Sequence, residues 1–169
     1  GFHPAIREWF QKRFGHPSPP QKQGWPHIRE GKHVLILAPT GSGKTLAAFL
    51  ECLNRLYLEG SEGVQEDDPA GVQILYVSPL QALNNDIRRN LAEPLSGIEQ
   101  TAKELGMPLP RITTALRTGD TSPAERRAML QRPPHILITT PESLYLLLTG
   151  TQSRRILQTV GYCIVDEIH

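Results

Sequence analysis

Residues Ala38-Pro39-Thr40-Gly41-Ser42-Gly43-Lys44-Thr45 set two glycines, a lysine and three hydroxyls in the order that cradles a phosphate chain. The apolar run Val34-Leu35-Ile36-Leu37 precedes them, and an amphipathic segment beginning Leu46-Ala47-Ala48-Phe49-Leu50 follows. Strand, glycine-containing loop, Gly-Lys-Thr and helix is the P-loop order, which turns backbone N–H groups and a helix N-terminus toward phosphates. Gly41 and Gly43 permit backbone conformations that other residues resist and leave room for close approach of the main chain. Lys44 would neutralise the β- and γ-phosphates of ATP, and the Thr45 hydroxyl would ligate Mg²⁺. Thr40 and Ser42 complete the loop, and Ala38 stands where the usual pattern has Gly, so the match is to a variant.

A second constellation lies far downstream. Tyr162-Cys163-Ile164-Val165 runs directly into Asp166-Glu167, the form of a Walker B element. Asp166 at the strand tip would hold the Mg²⁺ shell, directly or through water, and Glu167 would orient or deprotonate the attacking water. Phosphoryl transfer needs both, because charge must be neutralised and a nucleophile aligned. Alone, Asp-Glu at a strand end is equally an ordinary polar terminus; downstream of the P-loop it reads as half of an ATP site.

Composition sets the frame. At 169 residues, 38% hydrophobic and 21% charged, the chain is about one soluble domain, long enough to bury a core. No run approaches the ~18 apolar residues of a membrane span, and no signal-peptide pattern opens the chain, so no membrane partner and a cytoplasmic setting are expected. Cys52 and Cys163 are isolated thiols without metal spacing and read as small buried side chains. A net charge of +1 announces no basic field, so any nucleic-acid reading must come from motifs. The chain starts at Gly1 rather than Met and stops just after a strand pattern, which reads as a piece of something longer.

The elements that must position these groups follow from periodicity. Phe2, Ile6, Trp9, Phe10 and Phe14 predict a packed helix that stops at Gly15 with Pro17 beyond. Ser18-Pro19-Pro20-Gln21 opens another, with Gln21 in its first turn, where a solvated polar residue is the ordinary reading. Leu46, Phe49, Leu50, Leu53, Leu56 and Tyr57 keep to one face of the helix after the P-loop. Residues 60–71, with Glu62, Glu66, Asp67 and Asp68, read as an acidic solvated loop. Ile74–Val77, ended by Ser78-Pro79, is a buried strand. Helical periodicity from Leu80 to about Leu105 is interrupted at Pro94 and Gly97, which predicts two helices. Ile112–Leu116 is a weaker strand leading into Arg117-Thr118-Gly119-Asp120-Thr121, and Ser122-Pro123-Ala124-Glu125 is a capping box. Ile136–Ile138 is a further strand closed by Thr139-Thr140-Pro141-Glu142-Ser143; short helices over Leu144–Leu148 and roughly Ser153–Val160 precede the last strand. The alternation predicts an α/β fold whose parallel sheet is covered on both faces, with ligands beyond the carboxyl ends of its strands. The P-loop, Ser78-Pro79, Arg117–Asp120, Thr140–Ser143 and Asp166-Glu167 should therefore share one edge.

With Asp166-Glu167-Ile168-His169 in the D-E-x-H form, the chain resembles the superfamily-two helicases, and its wording is similar to the Lhr (large helicase-related) branch. The resemblance runs through Ser18-Pro19-Pro20-Gln21, Gly24-Trp25-Pro26, the P-loop, Val77-Ser78-Pro79-Leu80, Arg117-Thr118-Gly119-Asp120-Thr121 and Thr139-Thr140-Pro141-Glu142-Ser143-Leu144. It implies that residues 1–169 are the N-terminal RecA-like ATP-binding domain, incomplete after the Walker B strand, with a helical part over 1–30 that carries the Q-motif. Gln21 would read the adenine edge. Ser78 and Pro79, then Thr140, Pro141, Glu142 and Ser143, would grip one nucleic-acid strand through helix N-termini and hydroxyls. Arg117, Thr118 and the Gly119 backbone would extend that grip, although a surface ion pair is an equally good reading of Arg117. Gln81 stands where the resemblance leads one to expect a basic residue in many relatives, and His169 would couple the nucleotide site to a following motif.

The resemblance further implies a 3′-to-5′ ATP-dependent DNA helicase acting in repair or recombination. A second RecA-like domain would supply an arginine finger, and the cleft between the two would open and close as ATP is hydrolysed. In relatives a later strand sits between the P-loop strand and the Walker B strand, so this chain is expected to leave that slot empty and to be, alone, a weak nucleotide binder. An RNA helicase of the same superfamily and a non-catalytic module in which ATP gates nucleic-acid affinity are the rival readings; a small-molecule kinase would need an acceptor pocket and lid for which no residues are seen.

Overall fold

In the computed structural model residues 1–39, 41–60, 71–80, 82–83 and 88–167 are described. Thr40, most of the acidic loop with its Glu62, Glu66, Asp67 and Asp68, Gln81, Ile168 and His169 lie outside them. Two compact units emerge, one from Gly1–Val64 with Asp86–Pro110, the other from Gln65–Asn85 with Arg111–His169.

The first unit is helical. α1 spans Pro4–Phe14 and is capped by His3, whose Nδ1 accepts the Ala5 N–H at 3.2 Å. It ends at Gly15, which takes φ 72°, as its composition predicts. α2 (Pro19–Arg29) and α3 (Lys44–Gly60) pack side by side through three polar rungs. Gln21 Nε2 donates to the Gly43 carbonyl at 3.3 Å, Trp25 Nε1 to the Ala47 carbonyl at 2.9 Å, and the Arg29 guanidinium to both Glu51 oxygens at 2.9 and 2.8 Å. Each pair is 22 residues apart and each step is one helical turn, so the two helices run parallel in register. Below the rungs, Phe49, Leu50, Leu53, Leu56 and Tyr57 form the buried face of α3.

A π-helical turn, Arg88–Ala92, leads into α4 (Glu93–Glu104), which packs on α1. Helical residues also stand at Leu80 and 82–83, but Gly97, read as an interruption, does not break the helix over Glu93–Glu104. Its missing side chain makes room for Trp9: a Cβ there would lie 2.2 Å from the indole Nε1. Pro94 is equally tolerated, because in the first turn its absent N–H removes no helical bond.

The second unit is a four-stranded, wholly parallel sheet: β1 (Ile74–Val77), β2 (Thr114–Arg117), β3 (Ile136–Thr139) and β4 (Tyr162–Val165), in the order β2-β3-β1-β4. α5 (Pro123–Gln131), α6 (Pro141–Thr149) and α7 (Thr151–Ile156) complete it, with α7 starting and ending earlier than its periodicity predicted. Val72, Leu75, Val77, Leu137, Leu147 and Ile156 form the core, with Met129, Leu130 and Leu144 against it. β1 and β3 are buried on both faces, as predicted, whereas β2 and β4 at the margins are partly exposed. Cys163 is therefore exposed on β4, and only Cys52 is the buried thiol expected, its pKa pushed up to about 12 by burial. No helix of the described residues is long and apolar enough to cross a membrane.

Val34–Leu37 corrects the sequence reading: these residues form no strand. Leu35 and Leu37 are 71% and 85% exposed, while the Ile36 side chain lies against α2 at Gly24. An apolar run reports a tendency to be buried, but a strand also needs a neighbour for its N–H and C=O groups. Among the described residues none pairs with this segment, and none pairs with β4 on the side away from β1.

Candidate nucleotide and nucleic-acid site

In the first unit the P-loop enters α3 through two left-handed residues, Gly41 at φ 81° and Gly43 at φ 79°. A side chain would be strained at either, and at Gly43 a Cβ would also come within 2.6 Å of Gln21 Nε2. The helical ladder begins at Ala47, whose N–H donates to the Gly43 carbonyl at 2.9 Å, so the preceding amides open the helix start. The Lys44 Nζ folds back on the Ala38 carbonyl at 3.0 Å. Ser42 Oγ is inaccessible to solvent and has no hydrogen-bond partner among the described residues. An orphaned hydroxyl beside a lysine at a helix N-terminus fits a phosphate, which would satisfy the hydroxyl and draw Lys44 off its carbonyl. Gln21 is buried; its Oε1 accepts the Ser18 N–H at 2.9 Å, completing the bond that ties the start of α2 to the P-loop.

In the second unit, Ser78, Thr118, Thr140 and Asp166 follow the last register pairs of the four strands and share the carboxyl edge, as expected. The Asp166 N–H donates to the Val77 carbonyl at 2.9 Å, prolonging the β1–β4 ladder. Its Oδ2 accepts the Tyr76 hydroxyl at 2.6 Å, and its Oδ1 accepts the Glu167 N–H at 2.9 Å. Glu167 takes φ 57°, the single positive value outside glycine among the described residues. Strain of this kind persists where surrounding structure holds it, often at functional positions.

The loop after β2 is knotted by its own hydroxyls. Thr121 Oγ1 accepts the Thr118 N–H at 2.9 Å and donates to the Leu116 carbonyl, while Thr118 Oγ1 accepts the Asp120 N–H. Arg126 of α5 clamps it, Nε to the Thr121 carbonyl at 2.8 Å and Nη2 to the Gly119 carbonyl at 2.9 Å. Arg117 is 7% exposed and donates to the Thr118 carbonyl, so it is no surface ion pair. Burial lowers its pKa, with nearby Arg126 adding to the effect. Thr140 caps α6, its Oγ1 accepting the Ser143 N–H at 3.2 Å, and Pro141 fills the first helical position. Ser78, Thr140 and Ser143 are buried, while Pro79, Gly119, Pro141 and Glu142 face solvent. Tyr76 and Arg126 are the site neighbours that sequence reading missed. Tyr76 was hidden in an apolar strand pattern, and Arg126 in an ordinary exposed helix.

A P-loop start to a helix, a strand ending in Asp-Glu and a parallel sheet with its loops on one edge define a RecA-like NTPase domain. The DEAD/DEAH box helicase family model matches residues 18–169, and the chain belongs to that family. Several relatives about half identical to it carry the Lhr name. An ATP-dependent helicase Lhr-Core protein 2 of Thermococcus barophilus is 54% identical over 164 residues, 97% of this chain and 19% of that protein. The structure of Mycobacterium smegmatis helicase Lhr bound to ssDNA and AMP-PNP is 50% identical, with a TM-score of 0.84 over 97% of this chain and 20% of that one. The DUF1998 helicase MrfA bound to DNA and AMPPNP is 25% identical, with a TM-score of 0.75 over 98% of this chain and 21% of that one. This chain thus spans about a fifth of the length of these relatives.

Proposed function

We propose that this chain is the ATP-binding part of a DNA helicase that moves 3′ to 5′ along its loading strand, in the cytoplasm and in the service of repair or recombination. The observation that carries the reading is the P-loop geometry: two left-handed glycines flank an orphaned Ser42 hydroxyl, and Lys44 opens α3. The relatives seen with AMP-PNP and DNA support it. ATP with Mg²⁺, when bound, supplies the phosphoryl group and the free energy of its transfer.

This chain's residues would do the holding. Backbone amides of the loop and Lys44 would bind the phosphates, with Thr40, Gly41, Ser42 and Gly43 lining them and Gln21 beside the base. Thr45 and Asp166 would hold Mg²⁺, and Glu167 would orient water and take its proton. Pro79, Gly119, Pro141 and Glu142 would meet a strand crossing the sheet edge, and Ser78, Arg117, Thr118, Thr140 and Ser143 would shape the edge from beneath. A second RecA-like domain of the same protein would complete the reaction.

The test is Mg-ATP hydrolysis by the full-length protein with and without single-stranded DNA or RNA. Turnover stimulated by DNA and reduced at least ~100-fold by Lys44→Ala is expected, the scale on which loss of one charge-stabilising group acts. Stimulation by RNA alone would move the substrate to the rival nucleic acid. Glu167→Gln should trap ATP; if it leaves nucleotide exchange unchanged, the protein is a gated binder rather than a motor.

A further inference from the structure

We infer that Tyr76 is a positioning residue for the Walker B carboxylate, a role that rests on the reading of Asp166 as a Mg²⁺ ligand. Tyr76 lies on β1 opposite Ile164, two residues before Asp166 in the β4 register, so both side chains leave the same face of the sheet. The phenol is 2% exposed, and its hydroxyl donates to Asp166 Oδ2 at 2.6 Å, the short separation of a charge-assisted bond. The other oxygen, Oδ1, accepts the Glu167 N–H. Asp166 is thus held from both sides: by a side chain on the neighbouring strand and by the backbone of the following residue.

The carboxylate cannot rotate without breaking both of these hydrogen bonds. A free aspartate at a strand tip would have to be ordered when a cation arrives; this one is ordered beforehand. The Glu167 N–H ties the fixed carboxylate to the residue read as the water-orienting group, so Tyr76 acts on both carboxylates through one.

The experiment uses the full-length protein and Tyr76→Phe, which keeps the ring and its packing. Mn²⁺ affinity is read by electron paramagnetic resonance in the presence of a non-hydrolysable ATP analogue, beside kcat and KM for ATP. A roughly tenfold loss of Mn²⁺ affinity is expected, the effect of one hydrogen bond to a charged group, with kcat lowered, KM for ATP unchanged and the melting temperature retained. In an Asp166→Asn background the same substitution should have no further effect on Mn²⁺, since Tyr76 acts through Asp166. Unchanged Mn²⁺ affinity in Tyr76→Phe, or an equal loss in both backgrounds, would overturn the assignment while leaving the ATP site standing. A wild-type protein that binds no Mn²⁺ with the analogue would overturn the site reading, and this assignment with it.

Discussion

Gly43 shows how much a single missing Cβ carries. It is left-handed and faces Gln21 Nε2, whereas Gly41 has a similar φ but open space around it. Gly41→Ala should therefore cost only the backbone term, about 1–2 kcal/mol. Gly43→Ala should cost more and also break the Gln21 rung. Melting curves of the two variants separate the terms, and nucleotide titration should show the larger loss at Gly43. The need for glycine here was legible in the sequence, because a P-loop requires these conformations. The reason Gly43 is the stricter of the two was not, since it depends on a side chain brought in from another helix.

Among the elements, the α2–α3 rungs and the cap of α1 set stability. Glu51 is 1% exposed and its charge is answered by Arg29, which keeps 41% of its side-chain surface in water and also lies 5.1 Å from the Phe2 ring. Arg29→Met would leave Glu51 buried without its cation, a loss of about 2–3 kcal/mol by chemical denaturation, on the low side for a buried pair because water still reaches the arginine. His3 gives a pH dependence. Burial holds its imidazole pKa below the ordinary value, so the unfolded chain binds more protons than the folded one. The contribution of the neutral ring is complete above about pH 6.5 and is lost as pH falls through the folded-state value. Protonation would also remove the Nδ1 acceptor that caps α1. Its other neighbours, Asn54 and Tyr57, do not titrate there; burial, with Glu99 adding, raises the Tyr57 pKa. Melting temperature should fall between pH 7 and pH 5, and His3→Asn, which caps without titrating, should flatten that part of the curve.

For the whole molecule, what was legible followed from local rules. Ile74–Val77 and Tyr162–Val165 are strands over the bounds their apolar runs suggested, and Ser122-Pro123-Ala124-Glu125 caps α5 as its spacing requires, with Glu125 Oε2 accepting the Ser122 N–H at 2.9 Å. What failed was each step that depended on a partner. Val34–Leu37 has the composition of a strand but no neighbour in the described residues; Gly97 has the composition of a break but faces Trp9; Cys163 has the composition of a core residue but sits on a margin strand. The Tyr76–Asp166 bond joins residues 90 apart and appears only once the strand register is known. Periodicity reports which way a side chain wants to face. It does not report what it will find there.

The fit of Trp9 against Gly97 also sets an order of events during synthesis. α1 leaves the ribosome well before the helix over residues 93–104 that packs against its Trp9. Through that interval the growing chain carries an uncovered aromatic face that only a chaperone or a transient nascent contact can shield.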